Sequence, residues 1–200
     1  MSQTPLKPNT ALFLEELQKR VEVPLDDFSR FLELWEPMNL KKNEFIMRVG
    51  EVPKFSIFVM NGCLRQYLVN EKGDESIVYF AEERHWIGDL PAMRAKTPTV
   101  YNFQAIEPCE LLLISAENWE KAFVNFPWWT EAHMKGNQIW ALKLQQRIAE
   151  MNTMTSEERY LSLLKEKPQL FQRVPQHFIA SYLGISPETL SRIRKKIAFF

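Results

Sequence analysis

Apolar residues at Leu12, Leu14, Leu17 and Val21, and again at Phe28, Phe31, Leu32 and Trp35, recur at roughly helical spacing over residues 11–36, with an interruption at Pro24. This predicts helical structure broken at the proline, which lacks a backbone donor and pushes its predecessor out of the helical region. From about Pro37 to Ile114 the rhythm changes to short β-type runs: Glu44–Met47, Phe55–Met60, Cys63–Val69 and Ser76–Phe80. Turn signals separate them at Asn61-Gly62 and at Glu71–Asp74 around Gly73. Such runs predict antiparallel hairpins. Gly50, Gly62, Gly73 and Gly88, four of the six glycines, fall in this stretch. A barrel or jelly roll, whose tight turns call for such residues, fits best.

After Ser115 the pattern is helical again. Residues 128–151 hold no proline and only Gly136 as a breaker, which predicts the longest helix of the chain. Ile139, Trp140, Leu142, Leu144, Ile148 and Met151 are more apolar positions than one docking stripe needs. The helix is either a buried core element or one that packs on the barrel and also pairs with its symmetry mate. The second reading accounts for the surplus. Thr155-Ser-Glu-Glu then offers a capping-box-like start to a helix carrying Leu161, Leu163 and Leu164, and Pro168 ends it.

The most informative segment runs from Gln176 to Lys195. A first short helix turns Ile179, Ala180 and Leu183 inward, and Gly184 supplies a turn. Ser186 is a natural N-cap, Pro187 suits the first helical position, and Leu190 and Ile193 return an apolar face. With Leu190 and Ile193 inside, Pro187, Glu188, Ser191, Arg192 and Lys195 share the opposite face. Arg192 can donate two hydrogen bonds to guanine and Glu188 can accept from a cytosine amino group. Thr189, Arg194 and Lys196 suit phosphate contacts. The bland reading is an amphipathic helix pair with a basic, solvated end; the full motif is more specific than a basic run alone.

Charge sharpens this picture. The formal net charge is zero, yet Gln169–Phe200 carries five basic residues against one acidic, so a basic end stands apart from an acidic remainder. Cys63 and Cys109 are the only thiols, without CxxC or metal-spaced histidines, so no disulfide framework, zinc site or iron–sulfur site is expected. No apolar run is long enough to span a membrane, and Met1–Thr10 lacks a signal peptide's apolar core. A cytoplasmic protein without membrane contact is the expectation.

Over Leu40 to Lys196 the chain resembles the Crp/Fnr family of transcription regulators. The resemblance is carried by Gly50-Glu51, by Phe58-Val-Met-Asn-Gly-Cys-Leu-Arg, by Trp86-Ile-Gly-Asp-Leu, and above all by Ile179-Ala-Ser-Tyr-Leu-Gly-Ile-Ser-Pro-Glu-Thr-Leu-Ser-Arg. It implies an α+β fold: an N-terminal β-roll sensor domain over residues 1–127, a dimerisation helix and hinge over 128–154, and a helix-turn-helix domain over 155–200. Helix 187–197 would read the major groove of a palindromic operator. Ser186, Glu188, Thr189 and Arg192 match the family's DNA-contacting motif, whereas Pro187 departs from the basic residue of some members. A homodimer, double-stranded DNA and RNA polymerase are the implied partners. The chain stops about four residues after the recognition helix, so the family's wing is expected to be absent.

In family members that bind cyclic nucleotides, an Arg-Ser pair follows Gly-Glu-Leu and clamps the phosphate. Here Gly88-Asp89-Leu90 is followed, at the corresponding positions, by Thr99 and Val100, and the helix positions facing a base fall at Leu144 and Gln145. Arg94 and Lys96 read as exposed loop charges. No tight cyclic-AMP binding is expected, and the effector is a different small ligand or none. No cofactor or metal is expected. A cupin-type enzyme is disfavoured by the lack of an HxH pair, with Glu82, Glu83 and Asp89 assigned to turns or solvation. A dimeric ligand-binding or interaction module that has lost DNA binding is the remaining alternative.

Overall fold

The computed structural model describes residues 10–198. The leading residues, with the expected lack of a signal core, and the last two, on which the wing argument turns, lie outside this range. Two helices come first, α1 (Thr10–Gln18) and α2 (Leu25–Leu32), and Pro24 caps the second with extended backbone. The helical reading of residues 11–36 needs correction at its end. Strand β1 (Trp35–Leu40) starts at Trp35, which pairs with Ile114. Trp35 continued the apolar series because its ring enters the same core as Phe31, with centroids 5.8 Å apart, although its backbone is extended.

The remaining strands are β2 (Phe45–Met47), β3 (Phe55–Asn61), β4 (Leu64–Val69), β5 (Glu75–Ala81), β6 (Trp86–Ile87), β7 (Asn102–Ala105) and β8 (Cys109–Ser115). They form two four-stranded sheets, ordered β1-β8-β3-β6 and β2-β7-β4-β5, with antiparallel pairing throughout. The expected runs therefore appear as a β-roll. Because successive strand residues point to opposite faces, β3 is apolar on both: Ile57 and Val59 enter the core between the sheets, while Phe58 and Met60 enter a second core outside. That explains the unbroken run Phe55–Met60.

The outer core is aromatic. Phe13, Phe31, Trp35, Phe58, Trp119 and Trp129 gather there from the strands, α1, α2, α4 (Ala116–Asn125) and the start of α5 (Pro127–Thr153). Helix α5, 27 residues long, is the predicted longest helix. Beyond it lie α6 (Ser156–Glu166), α7 (Leu170–Arg173), α8 (Gln176–Leu183) and α9 (Pro187–Ala198). The capping box at α6 forms as read: Thr155 Oγ1 accepts from the Glu158 N–H at 3.3 Å, and the Glu158 carboxylate accepts from the Thr155 N–H at 2.7 Å.

At the Asn61-Gly62 turn a side chain is excluded twice over. Gly62 has φ +93°, and an added Cβ would lie 2.5 Å from the Pro108 carbonyl oxygen and 2.7 Å from Cys109 Sγ. Gly62→Ala is expected to lower stability by about 3 kcal/mol, combining left-handed strain with overpacking. Gly73→Ala has a similar φ of +89° but nothing within 4 Å, and should cost about 1 kcal/mol. Urea unfolding of the two variants checks the difference.

Candidate nucleic-acid interface

Helices α8 and α9 form the bihelical unit that the sequence outlines. Gly184, at φ +69°, ends α8 in the left-handed region, its N–H donating to the Ser181 carbonyl at 3.1 Å while the Ile185 N–H donates to Ala180 at 3.0 Å. Ser186 caps α9, its Oγ accepting from the Thr189 N–H at 3.2 Å. Ile179, Ala180, Leu183, Leu190 and Ile193 are buried together with Tyr160 and Leu163 of α6. The small Ala180 lets the two helices cross closely.

The opposite face of α9 points away from this core. Ser186, Pro187, Glu188, Ser191, Arg192, Lys195 and Lys196 are exposed and Thr189 is half-buried. Arg192 Nη2 donates to Thr189 Oγ1 at 3.1 Å. The Glu188 carboxyl is held below the usual range by backbone and Ser186 hydrogen bonds and by the Arg192 charge, so it remains an acceptor. Lys196 is engaged differently, its ammonium lying 2.7 Å from Glu157 of α6.

The bihelical unit rests on the β-roll. Along strand β5, Ser181 Oγ of α8 accepts from the Ile77 N–H at 3.0 Å and donates to the Glu75 carbonyl at 2.9 Å. Tyr67 pairs with Ile77 and Gln66 with Tyr79, leaving Val78 as the extra residue of a bulge. Its free carbonyl accepts from Arg147 of α5, which also donates to the Tyr182 carbonyl at 3.1 Å. Arg173 forks onto Glu83 at 2.7 and 2.9 Å and also pairs with Glu107. Lys167 lies 2.6 Å from Glu82. Burial alone would raise the Glu83 carboxyl, but bonds from Arg173 and from the Gly62 N–H outweigh it and hold it low. Arg65, buried in the sheet, pairs with Glu75 and lies between the rings of Tyr67 and Phe178, at 4.0 and 3.9 Å.

Arg173 is one of the five basic residues of the Gln169–Phe200 end, and Glu82 and Glu83 are expected from the sequence in turns or solvent. The structure joins all three across the two units, so Arg173 is not a free cation. Nothing local signals these pairs, whose members are 85 and 90 residues apart.

The proposed sensor residues separate into two places. Asp89 caps α3 (Leu90–Ala95), accepting from the Ala92 N–H at 3.1 Å, and its other oxygen accepts from Thr99 Oγ1 at 2.7 Å. Thr99 is 2 % exposed, whereas Val100 lies open to solvent. Arg94 and Lys96 are exposed on α3 and at its C-cap. Leu144 instead lines a cavity of about 100 Å³ between α5, α6, α8 and the edge of the β-roll, which Gly88, Asp89, Leu90, Thr99 and Val100 do not reach.

Both thiols are buried and free. Burial pushes Cys63 well above its usual range and Cys109 up to about 11, so neither is a nucleophilic thiolate near neutral pH. Among the described residues no His, Cys, Asp and Glu cluster could hold a metal, and no helix is long and apolar enough to cross a membrane.

Residues 37–125 match the family model of the cyclic nucleotide-binding domain. The chain is 26% identical over 166 residues to the transcriptional activator protein anr of Pseudomonas aeruginosa, covering 77% of this chain and 67% of that protein. It is 26% identical over 187 residues to the fumarate and nitrate reduction regulatory protein of Vibrio cholerae, covering 86% and 72%. In fold it is similar to the c-di-GMP responsive global regulator CLP of Xanthomonas campestris, with TM-score 0.71 and 17% identity over 88% of this chain and 92% of that one. With a β-roll, a long helix and a C-terminal helix-turn-helix in that order, the chain carries a cyclic nucleotide-binding domain fold and is similar to transcription regulators of the Crp/Fnr family.

Proposed function

We propose that the chain works as a homodimer that binds a palindromic operator, with residues 1–127 as sensor, 128–154 as dimer helix and hinge, and 155–200 as the DNA-reading unit. The observation that carries this is the free face of α9: Glu188, Ser191, Arg192 and Lys195 stand exposed on a helix whose other side is buried. Ser186 and Thr189 set the start of that helix against the DNA backbone, with Pro187 and Lys196 at its margins. Arg192 and Glu188 read bases.

Dimerisation accounts for the surface of α5. Met134, Ile139, Leu142, Leu144 and Ile148 are all at least 40% exposed. At about 100° per residue, Leu142 lies roughly 160° around the helix from Leu144. Apolar positions on such different sides cannot all dock on one β-roll; a second α5 would cover those facing away. RNA polymerase is a further partner, by analogy with relatives named transcriptional activators.

Selection of DNA fragments from a random pool by the purified protein tests the reading. Enrichment of half-sites about one helical turn apart is expected; failure to enrich any sequence, with and without cell metabolites, would favour an interaction module that no longer binds DNA. Cyclic AMP is not the effector, because Asp89 and Thr99 satisfy each other where a phosphate clamp would stand and no arginine occupies that place. Calorimetric titration is expected to show no binding tighter than about 1 mM. Micromolar affinity would overturn this.

A further inference from the structure

The cavity at Leu144 has a chemical character of its own. Its walls are aromatic on the β-roll side, where Tyr79 meets Trp140 edge-on at 4.6 Å, and on the α8 side, where Tyr182 lies under Arg147 at 3.8 Å. Its volume of about 100 Å³, open to solvent on one side, is of the order of the ~150 Å³ that admits a benzene ring.

The polar groups facing it are unbalanced. Arg147 and Arg159 donate to backbone carbonyls, and among the described residues Lys143 has neither ion pair nor hydrogen bond. Three cations in one wall thus lack a carboxylate partner. Of the two lining carboxylates, Glu150 accepts from Gln146 at 2.8 Å and Glu166 has no bonded partner among the described residues. His85 donates through Nδ1 to the Glu83 carbonyl at 2.9 Å, and burial and the nearby Lys167 and Lys143 charges favour its neutral form, which leaves Nε2 as an acceptor. Among the described residues the Tyr79 hydroxyl forms no hydrogen bond. Flat apolar walls, an unpaired ammonium and a spare hydroxyl suit a ring carrying an anionic oxygen pair.

We propose that this junction binds a small aromatic carboxylate, its ring between Tyr79, Trp140 and Tyr182 and its carboxylate on Lys143. The site is separate from the Gly88–Val100 segment. It is built jointly by the β-roll edge, α5 and the DNA-reading unit, so an occupant fastens these parts in their present arrangement. The proposal does not depend on DNA binding, and its test contains no DNA.

The full-length protein is titrated with benzoate and 4-hydroxybenzoate by calorimetry and by following the Trp140 indole N–H in heteronuclear spectra. Acetate, which lacks the ring, and benzyl alcohol, which lacks the charge, serve as comparisons. Benzoate is expected to bind and to shift Trp140, with acetate and benzyl alcohol at least about tenfold weaker. Lys143→Gln should weaken benzoate by about tenfold or more, and Tyr79→Phe should weaken 4-hydroxybenzoate and benzoate alike by a few-fold. Lys72→Gln, on the exposed β4–β5 turn, should change nothing. Unaltered melting temperatures in the exposed-site variants Lys143→Gln and Lys72→Gln separate lost contact from lost fold. Absence of heat and of any Trp140 shift up to about 10 mM benzoate, or equal affinity in Lys143→Gln and the parent, would overturn the proposal.

Discussion

Replacing Arg192 by alanine is expected to cost about 2–6 kcal/mol of operator affinity, because the proposed dimer would lose the contact twice and each bidentate base contact is worth about 1–3 kcal/mol. The guanidinium is free to turn to DNA, since among the described residues its only bond is the 3.1 Å contact to the Thr189 hydroxyl. Arg192→Lys keeps the charge and loses the planar fork, so it should retain non-specific binding while relaxing base preference. Lys195→Ala should weaken all sequences alike and reduce the salt slope by about one unit per site. Competition binding against a scrambled duplex at two salt concentrations distinguishes the three. Unchanged discrimination in Arg192→Ala would remove α9 as the reading element.

Trp129→Ala is expected to lower stability by about 3–5 kcal/mol, the usual range for emptying an aromatic core site. Trp129 is 2% exposed and its ring lies within 6.3 Å of Phe31, Trp35, Trp86, Trp119 and Phe123. The loss therefore spreads to α2, β1, β6 and α4 together. Its indole N–H has no hydrogen-bond acceptor among the described residues, so Trp129→Phe forfeits volume alone and should cost about half as much. For a chain of this size the alanine variant should melt about 10 °C or more below the parent. A shift under about 3 °C would mean that the cluster tolerates collapse around the site.

How far the sequence could be read depends on where each signal resides. The bihelical unit was legible because it is encoded locally: Gly184 for the left-handed turn, Ser186 for the cap, Pro187 for the first turn, and Leu190 with Ile193 for the buried face. The capping box at Thr155 and the long helix α5 were legible for the same reason. Strand β1 was not, since only Trp35 and Leu40 at its ends are buried and no alternation marks it. Strand β6, with two residues, is too short to show a period. The contacts of α8 with the β-roll were hidden altogether, because Ser181 and Ile77 are 104 residues apart and a serine on a helix carries no sign of its acceptor or donor. For the sensor, Leu144 could be singled out by its place on α5, but the cavity around it also needs Tyr79 of β5 and Tyr182 of α8, which only the folded chain brings to it.

The seat of Ser181 on strand β5 has a consequence for how this protein can be cut or pulled apart. Strand β5 is the last in its sheet, and such a strand offers its unused backbone groups to any extended chain that meets it. Helix α8 fills that role with one hydroxyl and with the bulk of Tyr182 and Phe178. A fragment that keeps the β-roll and α5 but discards everything after residue 154 should therefore be sticky in a directional way, adding strand to strand through Glu75–Ala81. The C-terminal helices are thus also a chaperone held in cis, guarding one of the sheet edges that the strands themselves leave open.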